Sequence, residues 1–143
     1  MLFLLFFFFL LIPFPPSYSR TSVQTYGSVS VDTVYRVYDG DTFFAVISSW
    51  PPVIGDRIGI RVAGVDTPEL RDKRSSIKKL AYKARILADS ALTNAQNVEL
   101  RAIRRGKYFR IVADVYCDRH SLADLLISTG VARPYFGGKK ISW

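Results

Sequence analysis

Cysteine is nearly missing from this sequence. Cys117 stands alone among 143 residues, so no disulfide can form within the chain and a buried core must supply the stability. Its place at the end of an apolar run reads as a small buried residue rather than a reactive thiol. Histidine is equally scarce: a lone His120 excludes mechanisms that need two catalytic imidazoles and zinc sites built from a His/Cys cluster. His120 lies in the polar Asp118-Arg119-His120 turn, where a solvated or structural role is expected. Any general base must then be a carboxylate, a Lys or a Tyr. Acidic residues are few, 12 against 20 Lys and Arg, which leaves a net charge of +8 and a pI near 9.8. Such an excess suits a polyanionic partner or simply solubility, and composition alone does not separate the two.

No hydrophobic run reaches the roughly 18 residues of a spanning helix. Residues 2–12 are unbroken Leu, Phe and Ile, but Pro13, Pro15 and Pro16 follow at once. With Ser17-Tyr18-Ser19 flanking a cut site, residues 1–19 read as a secretory signal peptide, although the segment has no Lys or Arg of its own. The chain would then be secreted or periplasmic, with no membrane contact after cleavage; the alternative is a tether through an uncleaved segment. All charged residues fall after residue 19.

Residues 20–28 are rich in Ser and Thr and are expected to form a flexible lead-in to one domain over 29–143. Val29, Val31, Thr33, Tyr35 and Val37 alternate with their neighbours as in a half-buried strand. Asp39-Gly40-Asp41 signals a turn into a second strand over 42–47. Ser48 to Gly55, with Trp50 and two prolines, reads as a loop, and 57–65 as a third strand with Ile58, Ile60 and Val62 on one face. Beyond Pro68 the period changes. Ile77, Leu80, Ala84, Leu87, Ala91 and Ala95 recur at helical spacing, with Ser75 or Ser76 as the cap. Two more strands are expected over 98–104 and 108–116, then a helix capped by Ser121 and stopped by Gly130. This order predicts a mainly β, α+β fold: a five-stranded Greek-key barrel of the oligonucleotide-binding type, with a helix between strands three and four and a C-terminal helix.

Four carboxylates stand out: Asp39 and Asp41 before the second strand, Asp66 and Glu69 after the third. Each pair alone is an ordinary turn or strand exit. Antiparallel pairing of neighbouring strands can bring them together, and a group of hard oxygen donors suits Ca²⁺ or Mg²⁺.

Asp39-Gly40-Asp41-Thr42, then Arg61 with Asp66-Thr67-Pro68-Glu69, then Lys107-Tyr108-x-Arg110 occur in an order and strand context that resembles the staphylococcal nuclease (thermonuclease) family, over about residues 34–135. The resemblance implies that Asp41 and Asp66 bind Ca²⁺ through their carboxylates and Thr67 through its backbone carbonyl. It implies Glu69 as general base or water-orienting group, and Arg61 and Arg110 as the phosphate grip. Lys107 and Tyr108 would contact a neighbouring phosphate, and Asp39 would support the metal ligands. The implied activity is Ca²⁺-dependent hydrolysis of DNA and RNA, single-stranded by preference and with little sequence selectivity, leaving 3′-phosphate ends. The implied protein is a monomer without a stable protein partner. Phe109 and Gly106 stand where the family usually has Gly and often has Asp, so the turn carrying Lys107 and Tyr108 is expected to shift. No long C-terminal helix is expected after Tyr135, whose ring either stacks on a base or closes the core. The rival reading is a non-catalytic nucleic-acid-binding module on the same barrel.

Overall fold

A computed structural model describes residues 23–143, so the leader expected over residues 1–19 and the start of the lead-in lie outside the described residues. The first alternating segment forms a strand broken once, into β1 (Val29–Val31) and β2 (Thr33–Asp39). The break is Asp32, whose N–H donates to the Val46 carbonyl and whose carboxylate accepts from the Ser48 N–H. The chain continues through β3 (Thr42–Val46), a one-turn helix α1 (Pro52–Gly55) inside the expected loop, β4 (Ile58–Val62) and β5 (Val65–Asp66). The long helix α2 (Ser75–Asn94) leads to β6 (Val98–Arg105), β7 (Arg110–Cys117) and β8 (His120–Ser121). Helix α3 (Leu122–Ser128) and β9 (Arg133–Pro134) complete the order.

Along the main sheet β2 pairs with β3, β3 with β4, β4 with β7, β7 with β6 and β6 with β1; only β4 and β7 run parallel. The two ends of that path, β1 and β2, are consecutive in sequence, so the sheet curls until its edges meet at Asp32. Among the described residues, with β1–β2 taken as one strand and the two-residue β5, β8 and β9 set aside, there are five strands, with α2 between the third and fourth and α3 after the fifth. This is the expected oligonucleotide-binding type of fold. The lead-in is more ordered at its end than its composition implies: the Tyr26 N–H donates to the Ile103 carbonyl at 2.8 Å and the Ile103 N–H to the Gly27 carbonyl at 3.2 Å.

Alternate residues of the strands fill the interior, among them Phe43, Ile60, Val62, Leu100 and Val115. Helix α2 lies close over them through Ala81, Ala84, Ala88 and Leu92, with Leu80, Leu87 and Ala91 half-buried at the side. Its apolar stripe is therefore turned by about one residue from the expected one, because only alanine is small enough where the helix comes nearest the sheet. The expected serine cap is absent too. Helix α2 begins after Arg74 without a side-chain cap, while Asp72 just upstream accepts from the Arg74 N–H at 2.8 Å. Helix α3 starts as expected: Ser121 Oγ accepts from the Asp124 N–H at 3.2 Å, and Gly130 follows the helix at φ 73°.

Strand β7 begins at Arg110, two residues later than expected. Tyr108 and Phe109 adopt φ of 56° and 54°, a left-handed pair that no ladder can include. For side-chain-bearing residues this conformation costs roughly 1–2 kcal/mol each.

Candidate active site

The β2–β3 turn presents Asp41, and its glycine is there for space. Gly40 has no left-handed φ, but a Cβ at that position would lie 2.6 Å from Ala84 Cβ and 2.8 Å from Thr67 Cγ2. The bare backbone lets the turn press against α2 and against the segment after β5. That contact places Asp41 beside Thr67. Asp41, 3% exposed, accepts the Thr67 N–H on Oδ2 and the Thr42 hydroxyl on Oδ1, both at 3.0 Å. Its own N–H donates to Asp39 Oδ1 at 3.1 Å, so Asp39 shapes the turn from behind.

Register brings the first cation in. Thr42 is aligned with Arg61 on β4, whose guanidinium pairs with Asp41, donates to the Val65 carbonyl at 3.0 Å and lies 3.6 Å from Asp66 Oδ1. Arg110 is aligned with Gly59, two residues along β4 from Arg61, so both guanidiniums share the outer face of the sheet. Burial pushes Arg61 below the usual guanidinium range, and the charge of Arg110 adds to the push while Asp39 and Asp66 oppose it. Burial also raises the Asp39 carboxyl, against the attraction of Arg61.

Asp66 is the other buried carboxylate. Its Oδ1 has no well-directed hydrogen bond, and a second cation, Lys140, reaches it at 2.5 Å. A buried carboxylate oxygen without a hydrogen bond, next to a second buried carboxylate and drawing in ammonium and guanidinium, is a donor set for a hard cation. Asp41 and Asp66 are oxygen donors of the kind a Ca²⁺ ion takes. Among the described residues no group of three acidic, His or Cys side chains closes into a cage. Glu69 explains why: its carboxylate stands exposed at the mouth of the site, 3.6 Å from Lys140 Nζ.

The structure thus gathers Asp39, Asp41, Arg61, Asp66 and Thr67, with Arg110 on the same face and Glu69 at the rim. Lys107 and Tyr108 are not drawn in. They sit on the left-handed β6–β7 turn, where Lys107 has no ion pair among the described residues and the Tyr108 ring is 91% exposed beside Arg110. Tyr135 is half-buried and ties down the C-terminal segment, its N–H donating to the Gly64 carbonyl at 2.9 Å and its hydroxyl to that of Gly138 at 2.8 Å.

That segment holds the residues the sequence did not announce. Pairing of β5 with β9 aligns Asp66 with Arg133 and turns residues 139–143 back over the site. Trp143 Nε1 donates to Asp66 Oδ2 at 3.1 Å, Arg133 lies 4.0 Å over the Trp143 ring, and Arg74 donates to the Trp143 carbonyl. No periodicity or motif marks Lys140 or Trp143, and a two-residue strand such as β9 leaves no pattern to read.

Comparison with known proteins agrees with this geometry. Residues 59–141, more than half of the chain, match the family described as staphylococcal nuclease homologue. Among curated proteins, Endonuclease YncB of Bacillus subtilis (strain 168) is 31% identical over 104 residues, which cover 71% of this chain and 46% of that protein. The chain therefore spans about half the length of that relative. Arg61, Asp66, Thr67, Glu69 and Arg110 lie inside the family match, and Asp41 joins them from outside it through the β2–β3 turn. The chain belongs to the staphylococcal nuclease homologue family.

Proposed function

We propose that the chain is a Ca²⁺-dependent endonuclease that hydrolyses phosphodiester bonds of DNA and RNA, single strands by preference. One observation carries the reading: Asp41 from the β2–β3 turn, Arg61 from β4 and Asp66 from β5 meet at a buried point with Arg110 beside them. Bound Ca²⁺ supplies Lewis-acid stabilisation and lowers the pKa of water at the site. Asp41, Asp66 and the Thr67 carbonyl would hold it, in the place beside Asp66 that Lys140 takes here. Glu69, exposed at the rim, would accept a proton from the attacking water as its oxygen closes on phosphorus and the P–O5′ bond breaks, the leaving 5′-oxygen taking its proton from solvent. Arg61 and Arg110 hold the phosphate oxygens and take up the charge that develops there. Arg61 spends two of its five N–H groups on Asp41 and Val65, leaving donors for a phosphate. Planar guanidiniums suit this role better than ammonium groups because they bind two oxygens at once.

By analogy with the family, cleavage leaves a 3′-phosphate. The excess of basic residues favours a polyanionic substrate, and a monomer is the simplest state. Export is proposed on residues 1–19 alone, and a mature N-terminus at Arg20 is its test. For the activity, denatured DNA is incubated with the protein in millimolar Ca²⁺ and in EGTA. Degradation in Ca²⁺ that stops in EGTA and falls strongly in Glu69→Gln is expected. Salt-sensitive binding with no cleavage would instead make the chain a binding module.

A further inference from the structure

Four strands contribute one residue each to a row across the outer face of the barrel. Arg36 on β2 is aligned with Phe44 on β3, Phe44 with Gly59 on β4, and Gly59 with Arg110 on β7. The neighbouring row holds Asp39, Thr42 and Arg61, part of the candidate active site. Rows two residues apart on a strand are separated by roughly 7 Å. That is about the reach of one extended nucleotide.

The row forms the floor of an open groove of about 430 Å³. Gly59 is its lowest point: a Cβ there would meet Arg110 Cβ at 3.1 Å and Phe44 Cε1 at 3.5 Å. Val53 and Ile54 of α1 and Tyr108 and Phe109 of the β6–β7 turn also line it. All four are exposed, Val53 by 83% and Phe109 by 67%. Monomeric proteins rarely gather large apolar side chains around one groove unless something binds there. The left-handed backbone at Tyr108 and Phe109 turns both rings outward at a conformational cost, which is typical of binding sites.

The chemistry of the lining selects the occupant. Arg36 lies 5.1 Å from the Phe44 ring centroid and 5.9 Å from that of Tyr38, so a flat cation and flat rings form one stacking surface. The one acidic residue of the lining, Asp56, is already 3.8 Å from Arg57. Flat aromatic and guanidinium faces with a net positive charge match a nucleobase on a polyanionic chain. The groove also runs without a break into Thr42 and Arg110.

We propose that this groove is a base-binding subsite, taking one nucleobase of a single-stranded DNA or RNA chain stacked on Phe44 and Arg36, next to the phosphate held by Arg61 and Arg110. The proposal rests on the phosphodiesterase reading of the neighbouring row. It gives the single-strand preference of that reading a physical cause: a base in the groove is unpaired, so a duplex must open before it fits. It also keeps selectivity low, because stacking does not read base edges.

The test uses the Glu69→Gln protein in Ca²⁺ and fluorescent oligothymidylate, with binding read by anisotropy. The oligomer is compared with a set of equal length in which one position at a time is abasic. One abasic position is expected to weaken binding roughly 5- to 100-fold. Phe44→Leu, which keeps an apolar side chain but removes the ring, and Arg36→Ala, on the exposed strand face, are each expected to flatten that position dependence. Val53→Asp, in the exposed lining, is expected to weaken every oligomer that carries the base. Equal affinity across the abasic set, or the same position dependence in Phe44→Leu and Arg36→Ala, overturns the subsite. If the unmutated protein leaves oligothymidylate uncut in Ca²⁺, the nuclease reading fails, and the binding series still decides the groove.

Discussion

Gly40→Ala tests how the site is assembled, because Gly40 touches no substrate and makes no side-chain bond. Alanine is conformationally allowed there, and by restricting the unfolded chain it would stabilise by roughly 0.4–1 kcal/mol if there were room. There is none. The new methyl falls 2.6 Å from Ala84 Cβ and 2.8 Å from Thr67 Cγ2, against a carbon–carbon optimum of about 3.5–4.0 Å. Overpacking of this kind costs roughly 1–3 kcal/mol, so a net loss of about 1–2 kcal/mol is expected. The urea midpoint should fall with the slope unchanged. Ala84→Gly alone costs roughly 1 kcal/mol in helix propensity. Combined with Gly40→Ala it removes the shorter contact, so the double variant should be more stable than the sum of the two by about 1 kcal/mol. Turnover should fall further than stability, because the Thr67 N–H is the donor that fixes Asp41 Oδ2. A Gly40→Ala midpoint at or above that of the unmutated protein, or strict additivity with Ala84→Gly, would refute the close-approach argument.

Three further outcomes follow from single residues. Lys140→Gln removes a half-exposed cation from Asp66 and Glu69 and should tighten Ca²⁺ binding several-fold, a gain of about 1 kcal/mol after screening by solvent. A Ca²⁺ titration of indole fluorescence reads it through the Trp143–Asp66 bond, and an unchanged midpoint would show that Lys140 does not compete with the ion. Phe43→Ala, at a side chain 1% exposed, should cost roughly 3–5 kcal/mol in urea unfolding, and a loss under 1 kcal/mol would place the core elsewhere. Burial, helped by the charge of Asp118, pushes the Cys117 thiol up to about 11. A raised thiol pKa keeps the neutral form at pH 8, so iodoacetamide should label the native protein only as fast as it opens and the denatured protein at once. Rapid native labelling at pH 8 would contradict the burial.

The barrel was legible because its signal is local: Ile58, Ile60 and Val62 alternate, and so do Val29 and Val31, but past the break at Asp32 the phase shifts, so Thr33 and Tyr35 face out and Val34 packs on the core. The helix over Ala84 was legible by period but not by phase. Its phase depends on how closely α2 approaches the sheet, which only the packed structure reveals. Asp39, Asp41, Asp66 and Glu69 were visible as turn residues. What the residue pattern could not give is the partner of each. Arg61 reaches Asp41 through strand register, and Gly40 permits the contact through the absence of a side chain. Lys140 and Trp143 were invisible because they arrive by a two-residue strand and an irregular segment. The groove floor was invisible because Arg36, Phe44, Gly59 and Arg110 become neighbours only across four strands.

The most direct test of the central claim is the single-turnover rate of single-stranded DNA cleavage by Asp66→Asn in saturating Ca²⁺, with thermal unfolding as the control for folding. The substitution keeps the shape and the Trp143 contact but removes the charge that faces Arg61 and Lys140. A drop of about 10²-fold or more in a folded protein is expected, the usual effect of losing one electrostatic group at a reacting centre. Cleavage at the unmutated rate would place hydrolysis away from the Asp41–Arg61–Asp66 cluster.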